Sequence, residues 1–254
     1  MKSGDSVEGA WYAQSGSKAR ELYTILHPPY TSMVLSYVLI GAALSPTLFV
    51  GRLGLTVLAY FLGLGISAHA LNELNARHWG TALGKKDLEI AFLSPIIAAL
   101  CIGMYGVYAL YYASNGKLLP PSVLLVFISL ETFFLFAYNV NYSNGKFHND
   151  ISFAFSWAFL PFLTSYYVNS LTVTIGSVLI GLSLAATAMI EINLSRWCKD
   201  FRRRTNATEI RFEDGTLLPL STGGLIRNPE KALKMIVIAV DLLGIGLLIG
   251  RLVV

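Results

Sequence analysis

The sequence predicts an all-α fold, a polytopic membrane helical bundle of about seven transmembrane helices. Three observations predict it. Of the 254 residues, 54% are hydrophobic and only 13% charged, with a mean hydropathy of +0.58; an average soluble domain carries about 25% charged residues. The charges are spaced so that apolar stretches of roughly 20 residues, the length that crosses a bilayer, fall between them. The basic residues also gather at alternate gaps between these stretches. This pattern excludes a disordered tail, a collagen-like rod and an ordinary soluble enzyme. Cys101 and Cys198 are too few for a disulfide framework and lack metal-site spacing.

Residues 1–31 form a predicted cytoplasmic segment, polar through Glu21 and without a signal-peptide pattern. Residues 32–254 form the membrane domain. The first span is expected at about 32–50, between Glu21 and Arg52, and the second at 53–72, between Arg52 and Glu73. The third, at 90–113, is bracketed by Glu89 and Lys117; the fourth, at 121–142, is interrupted only by Glu131. The uncharged stretch 151–190 has room for two spans, at 151–168 and 171–192, with a turn near Asn169. The seventh, at 235–251, contains Asp241 and follows a cytoplasmic loop at 196–234. Helix is the expected backbone throughout, because lipid offers no hydrogen-bond partners.

Orientation follows from counting Lys and Arg. Sixteen fall on the side of the N-terminal segment, while Arg52, Lys117 and Arg251 alone fall on the other. The positive-inside rule therefore places the N-terminus in the cytoplasm and the C-terminus outside, in what is read as the cell membrane.

Two stretches echo each other. Asn72-Glu-Leu-Asn-Ala-Arg-His-Trp79 closes the second span, and Glu191-Ile-Asn-Leu-Ser-Arg-Trp197 closes the sixth. Each has Glu-apolar-Asn, then Arg, then Trp, where a helix leaves the membrane on the cytoplasmic side. A duplicated helical unit is expected, with Glu73, Asn75, Glu191 and Asn193 lining one cytoplasmic cavity. Against that stands a plainer account, in which Trp and Arg are interfacial anchors and Glu–Arg neighbours are local helix pairs.

Read with their surroundings, these segments resemble the UbiA superfamily of intramembrane prenyltransferases. Leu26-His-Pro-Pro-Tyr30 followed by Val38-Leu-Ile-Gly-Ala-Ala43 is similar to the family's first helix, and Phe159-Leu-Pro-Phe-Leu-Thr-Ser-Tyr-Tyr167 to its fifth. Asn72-Glu73 is similar to the start of its first Asp-rich motif. Asn193-Leu-Ser-Arg196 with Lys199-Asp200 resembles the second, and Gly215-Thr-Leu-Leu218 its Gly-Lys-x-Thr-Leu stretch. The resemblance covers about residues 22–254, although the family usually has nine helices where seven are counted here.

The resemblance implies transfer of a prenyl group from a prenyl diphosphate to an aromatic or lipid-like acceptor. It implies catalytic roles for Asn72, Glu73, Glu191, Asn193 and Asp200, with Glu73, Glu191 and Asp200 as ligands of Mg²⁺. Oxygen ligands suit that hard cation. Ala76, Gly80, Trp197 and Phe201 occupy positions where the family has aspartates, so one ion, rather than two, is the expected complement. Arg77, Lys146, Arg196 and Lys199, at the cytoplasmic ends of spans, would take the diphosphate; the positive-inside rule accounts for them equally without a ligand. Aromatics such as Phe127, Phe134, Tyr138, Phe153, Trp157 and Tyr166 would shield an allylic cation or simply pack against lipid and helices.

The thinned carboxylate set keeps a second function open, a catalytically silent subunit or lipid-binding scaffold of a membrane complex. A third, a small proton-coupled transporter, would use Glu131 and Asp241, which lack a mid-span cation and so call for protonation or a water-filled cavity. The expected surroundings are membrane lipids, and no nucleic-acid ligand is expected.

Overall fold

A computed structural model describes residues 10–76, 81–204, 209–219 and 225–253. A short helix, α1 (Lys18–Ile25), precedes α2 (Pro28–Leu44). There follow α3 (Val50–Ala76), α4 (Lys85–Ala113), α5 (Leu119–Asn139), α6 (Asp150–Ser170), α7 (Ile175–Arg204) and α8 (Arg227–Val253). The six from α3 to α8 are long and apolar enough to cross a membrane, a multi-pass architecture; α2 is apolar but has 17 residues. At 1.5 Å per residue α2 is about 26 Å long, slightly under a hydrocarbon core of about 30 Å.

The helix limits differ from the charge-gap expectation in four places. The first helix runs over Pro28–Leu44 rather than 32–50, because Ser45 precedes Pro46. A residue before proline is pushed out of the α region, and Ser45 is extended (φ −69°, ψ 149°), its hydroxyl bonding to the carbonyls of Ala42 and Thr47. The next helix already begins at Val50, so Arg52 is helical rather than a gap between spans. Helix α7 continues past 192 to Arg204, and α8 begins at Arg227 rather than 235. The expected loop 196–234 is therefore helical at both its ends. What joins α7 to α8 includes an antiparallel hairpin, β1 (Glu209–Arg211) with β2 (Leu217–Pro219), an exception to the all-α expectation. Thr216 donates to the exposed Asp214 carboxyl through hydroxyl and amide, holding it below the usual carboxylate range.

Two helices form the centre. Most of α2 is buried, as is nearly all of α6, whose Phe162 is 0% exposed. Helix α2 lies between α6 and α8, and close backbone approach needs glycine on each side. A Cβ at Gly41 would stand 2.2 Å from the Phe162 carbonyl oxygen, and one at Gly244 would stand 3.0 Å from that of Ser36. Beside the second contact, Ser36 Oγ donates to Asp241 Oδ1 at 2.7 Å. The outer helices α4, α5 and α8 expose large apolar side chains such as Ile90, Ile97, Leu125 and Leu242, the faces that lipid would cover.

The bundle has two distinct ends. At one, Thr47 and Phe49 bond to Asn169, Arg52 to the Val168 carbonyl, Tyr167 to the Pro120 carbonyl and Arg251 to that of Pro46. At the other, Lys18 meets Asp87, Asn75 meets Asn139, Arg196 meets Asp150 and Arg202 meets Glu230. The second end carries Glu73 and Glu191 and is called the acid end below.

Candidate functional site

Two helices that reach the acid end are locally underwound and widened into π-helix: Phe61–Ala68 within α3 and Phe155–Phe159 within α6. Such segments are rare and concentrate at functional sites. Here they deliver His69 and Trp157 to one point, with ring centroids 5.0 Å apart. His27, at left-handed φ of 46° before Pro28, stacks on the other face of this group at 4.5 Å from His69. Tyr12, from the N-terminal segment, hydrogen-bonds to His27 Nδ1 at 2.8 Å. Phe153 stacks on Trp157 at 5.3 Å, and Tyr30 stands edge-on to both. The result is a buried, aromatic-walled polar cluster built from α2, α3, α6 and the chain before α1.

Both acids of the echoing segments reach this cluster. Glu73 is 1% exposed and Glu191 2%. Glu73 follows His69 by one turn, and its Oε1 accepts from the Thr81 amide and hydroxyl. Glu191 lies within electrostatic range of Tyr12, Tyr30, Tyr37 and Asp241. Glu191 Oε1 and His69 Nε2 are buried without a hydrogen-bond partner among the described residues. Buried polar groups are normally satisfied, so these two atoms mark where a bound group would be received. Tyr12 lies outside the spans; burial pushes its hydroxyl well above its usual range, and Glu191 adds to the effect.

The other expected site residues are placed differently. Asn75 is exposed and donates to the Asn139 carbonyl, and Asn193 is exposed and donates to Met189 of its own helix. Asn72 is half-buried. Asp200 is exposed, and the reason is geometric: α7 runs unbroken through it, and nine residues at about 100° each put it opposite Glu191. The inward stripe of α7 is instead Glu191, Cys198 and Arg202. Arg196 is bound to Asp150, Lys146 and Lys199 are exposed, and Arg77 lies outside the described residues, as does Gly80. Helices α3 and α7 do not pack side by side as a repeat would suggest: α3 packs mainly on α4 and also on α2, whereas α7 packs mainly on α6 and also on α8.

Among the described residues no three His, Cys, Asp or Glu side chains converge closely enough to hold a metal ion by themselves.

Nothing in the sequence analysis brings Tyr12, His27, Tyr30 and His69 together. The one available signal was His27-Pro-Pro, since a residue before proline is held out of the helical region and its ring is free to turn inward.

A second feature lies toward the opposite end. A cavity of about 530 Å³ opens between α3, α4, α5 and α6, lined mainly by apolar side chains such as Leu55, Ile96, Leu124 and Phe127. Its polar groups are Arg52 at the rim and Tyr60, Glu131 and Thr164 inside. It is separate from the cluster around His69.

No protein-family model matches the chain, and no curated protein or solved structure is significantly similar to it.

Proposed function

We propose that this protein is a UbiA-like intramembrane prenyltransferase whose acid end takes a prenyl diphosphate and passes the prenyl group to an aromatic or lipid-like acceptor. One observation is its main support: the acids of the two echoing segments, Glu73 and Glu191, are both buried at one end, Glu73 one turn beyond His69 and Glu191 within electrostatic range of Tyr30. On this reading α2 makes a seventh crossing, the acid end faces the cytoplasm and the C-terminus faces out.

In the transfer, the bond between prenyl C1 and the diphosphate oxygen breaks, and its electron pair leaves with diphosphate. The allylic cation is held against the π faces of Trp157, Tyr30 and Phe153. An electron pair of the acceptor forms the new bond to C1, and the displaced acceptor proton goes to a base, for which Glu191 is the candidate. Arg196, Lys199, Lys146 and Arg77 are the candidates for diphosphate binding. No step is routed through Mg²⁺.

A second reading, a non-catalytic subunit or lipid-binding scaffold, is favoured by the pairing of Arg196 with Asp150, which already neutralises a cation that the transferase needs. A single experiment separates them. Protein in nanodiscs is incubated with a radiolabelled prenyl diphosphate and a panel of phenolic and lipid acceptors. Labelled product with equal release of diphosphate, lost in Glu191→Gln, supports transfer. Saturable binding without product, or no binding at all, removes the transferase and favours the silent relative.

A further inference from the structure

The cavity at the far end holds an unpaired polar pair inside an apolar wall. Tyr60 of α3 donates to Glu131 Oε1 of α5 at 2.7 Å, which occupies one carboxyl oxygen. The other, Oε2, is buried without a partner among the described residues; Thr164 Oγ1 of α6 is buried close beside the Tyr60 hydroxyl and meets no other polar group among the described residues. All three side chains line the cavity. The two other threonine hydroxyls on its wall are already used: Thr56 bonds to the Arg52 carbonyl and Thr132 to that of Ile128, each one turn back on its own helix.

We propose that this cavity binds a membrane-soluble alcohol, an apolar body carrying one hydroxyl that bridges Glu131 and Thr164. A buried carboxyl oxygen left unpaired costs about 1–3 kcal/mol, so a group that satisfies it is selected for. A hydroxyl both donates and accepts, so it pairs with a carboxyl in either protonation state while accepting from or donating to Thr164. An ether can only accept, so it cannot serve an ionised carboxylate. Water fits less well: an ordered buried water makes about three hydrogen bonds, and the site offers two while leaving the apolar volume unfilled. At about 530 Å³ the cavity falls within the range of about 300–1,000 Å³ usual for small-molecule sites. Tyr60 and Glu131 lie mid-helix, so the ligand reaches the site from the bilayer interior. None of this depends on prenyl transfer at the acid end, which involves other residues.

The test uses the full chain in phosphatidylcholine vesicles with a photoactivatable hexadecanol. Labelled peptides are mapped, and unlabelled hexadecanol and hexadecane compete. The expected result is labelling on α3, α4 and α5 around the cavity, with hexadecanol competing at least about tenfold better than hexadecane, the size of one net hydrogen bond. In Glu131→Leu and in Thr164→Val that preference should shrink towards parity. Equal competition by the two on the wild-type protein overturns the proposal and leaves an acyl-filled void; labelling elsewhere overturns it too. The wild-type competition decides the matter even where a variant fails to fold.

Discussion

The imidazole rings of His27 and His69 lie parallel, 14° apart in plane and 4.5 Å between centroids. Forty-two positions apart in sequence, they join the start of α2 to the end of the π-helical segment of α3. Their stack is the point at which the segment before α2 is tied to the bundle. Replacing His69 by Phe should keep the stack and the fold. Replacing it by Ala should destabilise by about 2–5 kcal/mol, the usual cost of hollowing a packed site. Thermal unfolding in detergent would read the difference, and equal melting of the two variants would refute it.

The central helix should tolerate no side chain at its tightest contact. Gly41→Ala would force a methyl against the Phe162 carbonyl at 2.2 Å; overpacking of this kind costs about 1–3 kcal/mol or more. Gly246→Ala meets nothing within 4 Å and should stabilise slightly, since Ala is favoured over Gly in a helix by about 1 kcal/mol. Size-exclusion profiles and melting temperatures of the two variants should move in opposite directions.

The ion pair between Arg202 and Glu230 should matter more than the one between Lys18 and Asp87. Its side chains are only 13% and 17% exposed, against 73% and 38% for the second pair. Removing one member of a buried pair strands its partner, at about 3–5 kcal/mol when fully buried, whereas exposed pairs contribute little. Arg202→Met should therefore lower the melting temperature clearly and Lys18→Met should not, a comparison best made in one detergent and at one ionic strength.

Much of this architecture is legible in the sequence, and the exceptions have physical causes. Composition and charge gaps locate six of the long helices, because only helix satisfies a backbone in lipid. The limits fail where charge is a poor marker of helix ends: Arg52 and Arg196 lie within helices, since long basic side chains reach polar surroundings without ending the helix. The inward direction of Glu191 together with the outward direction of Asp200 was open to reading from a period of 3.6, had α7 been taken as continuous. The Glu131–Tyr60 pair was out of reach, because the two lie 71 positions apart and meet only once the chain has folded back.

Prenyl diphosphate binding should depend little on Mg²⁺ and strongly on salt. With no converging carboxylates among the described residues, chelation should change affinity less than about threefold. Exposed Lys146 and Lys199 should lose much of their effect as ionic strength rises. Asp200→Ala should leave binding unchanged and Arg196→Ala should weaken it. Calorimetric titration with Mg²⁺ and with chelator checks all three, and strict Mg²⁺ dependence would refute the first.

Sidedness is open to direct measurement. A cysteine replacing Lys117, between α4 and α5, should react with an impermeant maleimide added outside intact cells, and one replacing Lys146 should not. The reverse pattern would invert the bundle.

The π-helical stretch Phe61–Ala68 gives α3 two rotational phases, one before it and one after. Tyr60 belongs to the first and faces the apolar cavity; His69 and Glu73 belong to the second and face the acid cluster. Deleting one residue from the stretch would turn everything beyond it by about 100° relative to everything before. Such a deletion would leave the length and hydropathy of the helix almost unaltered, yet it would swing Glu73 out of its buried position while Tyr60 kept its bond to Glu131. The two sites on this helix are thus mechanically separable, and the separator is eight residues of backbone with no charged side chain among them.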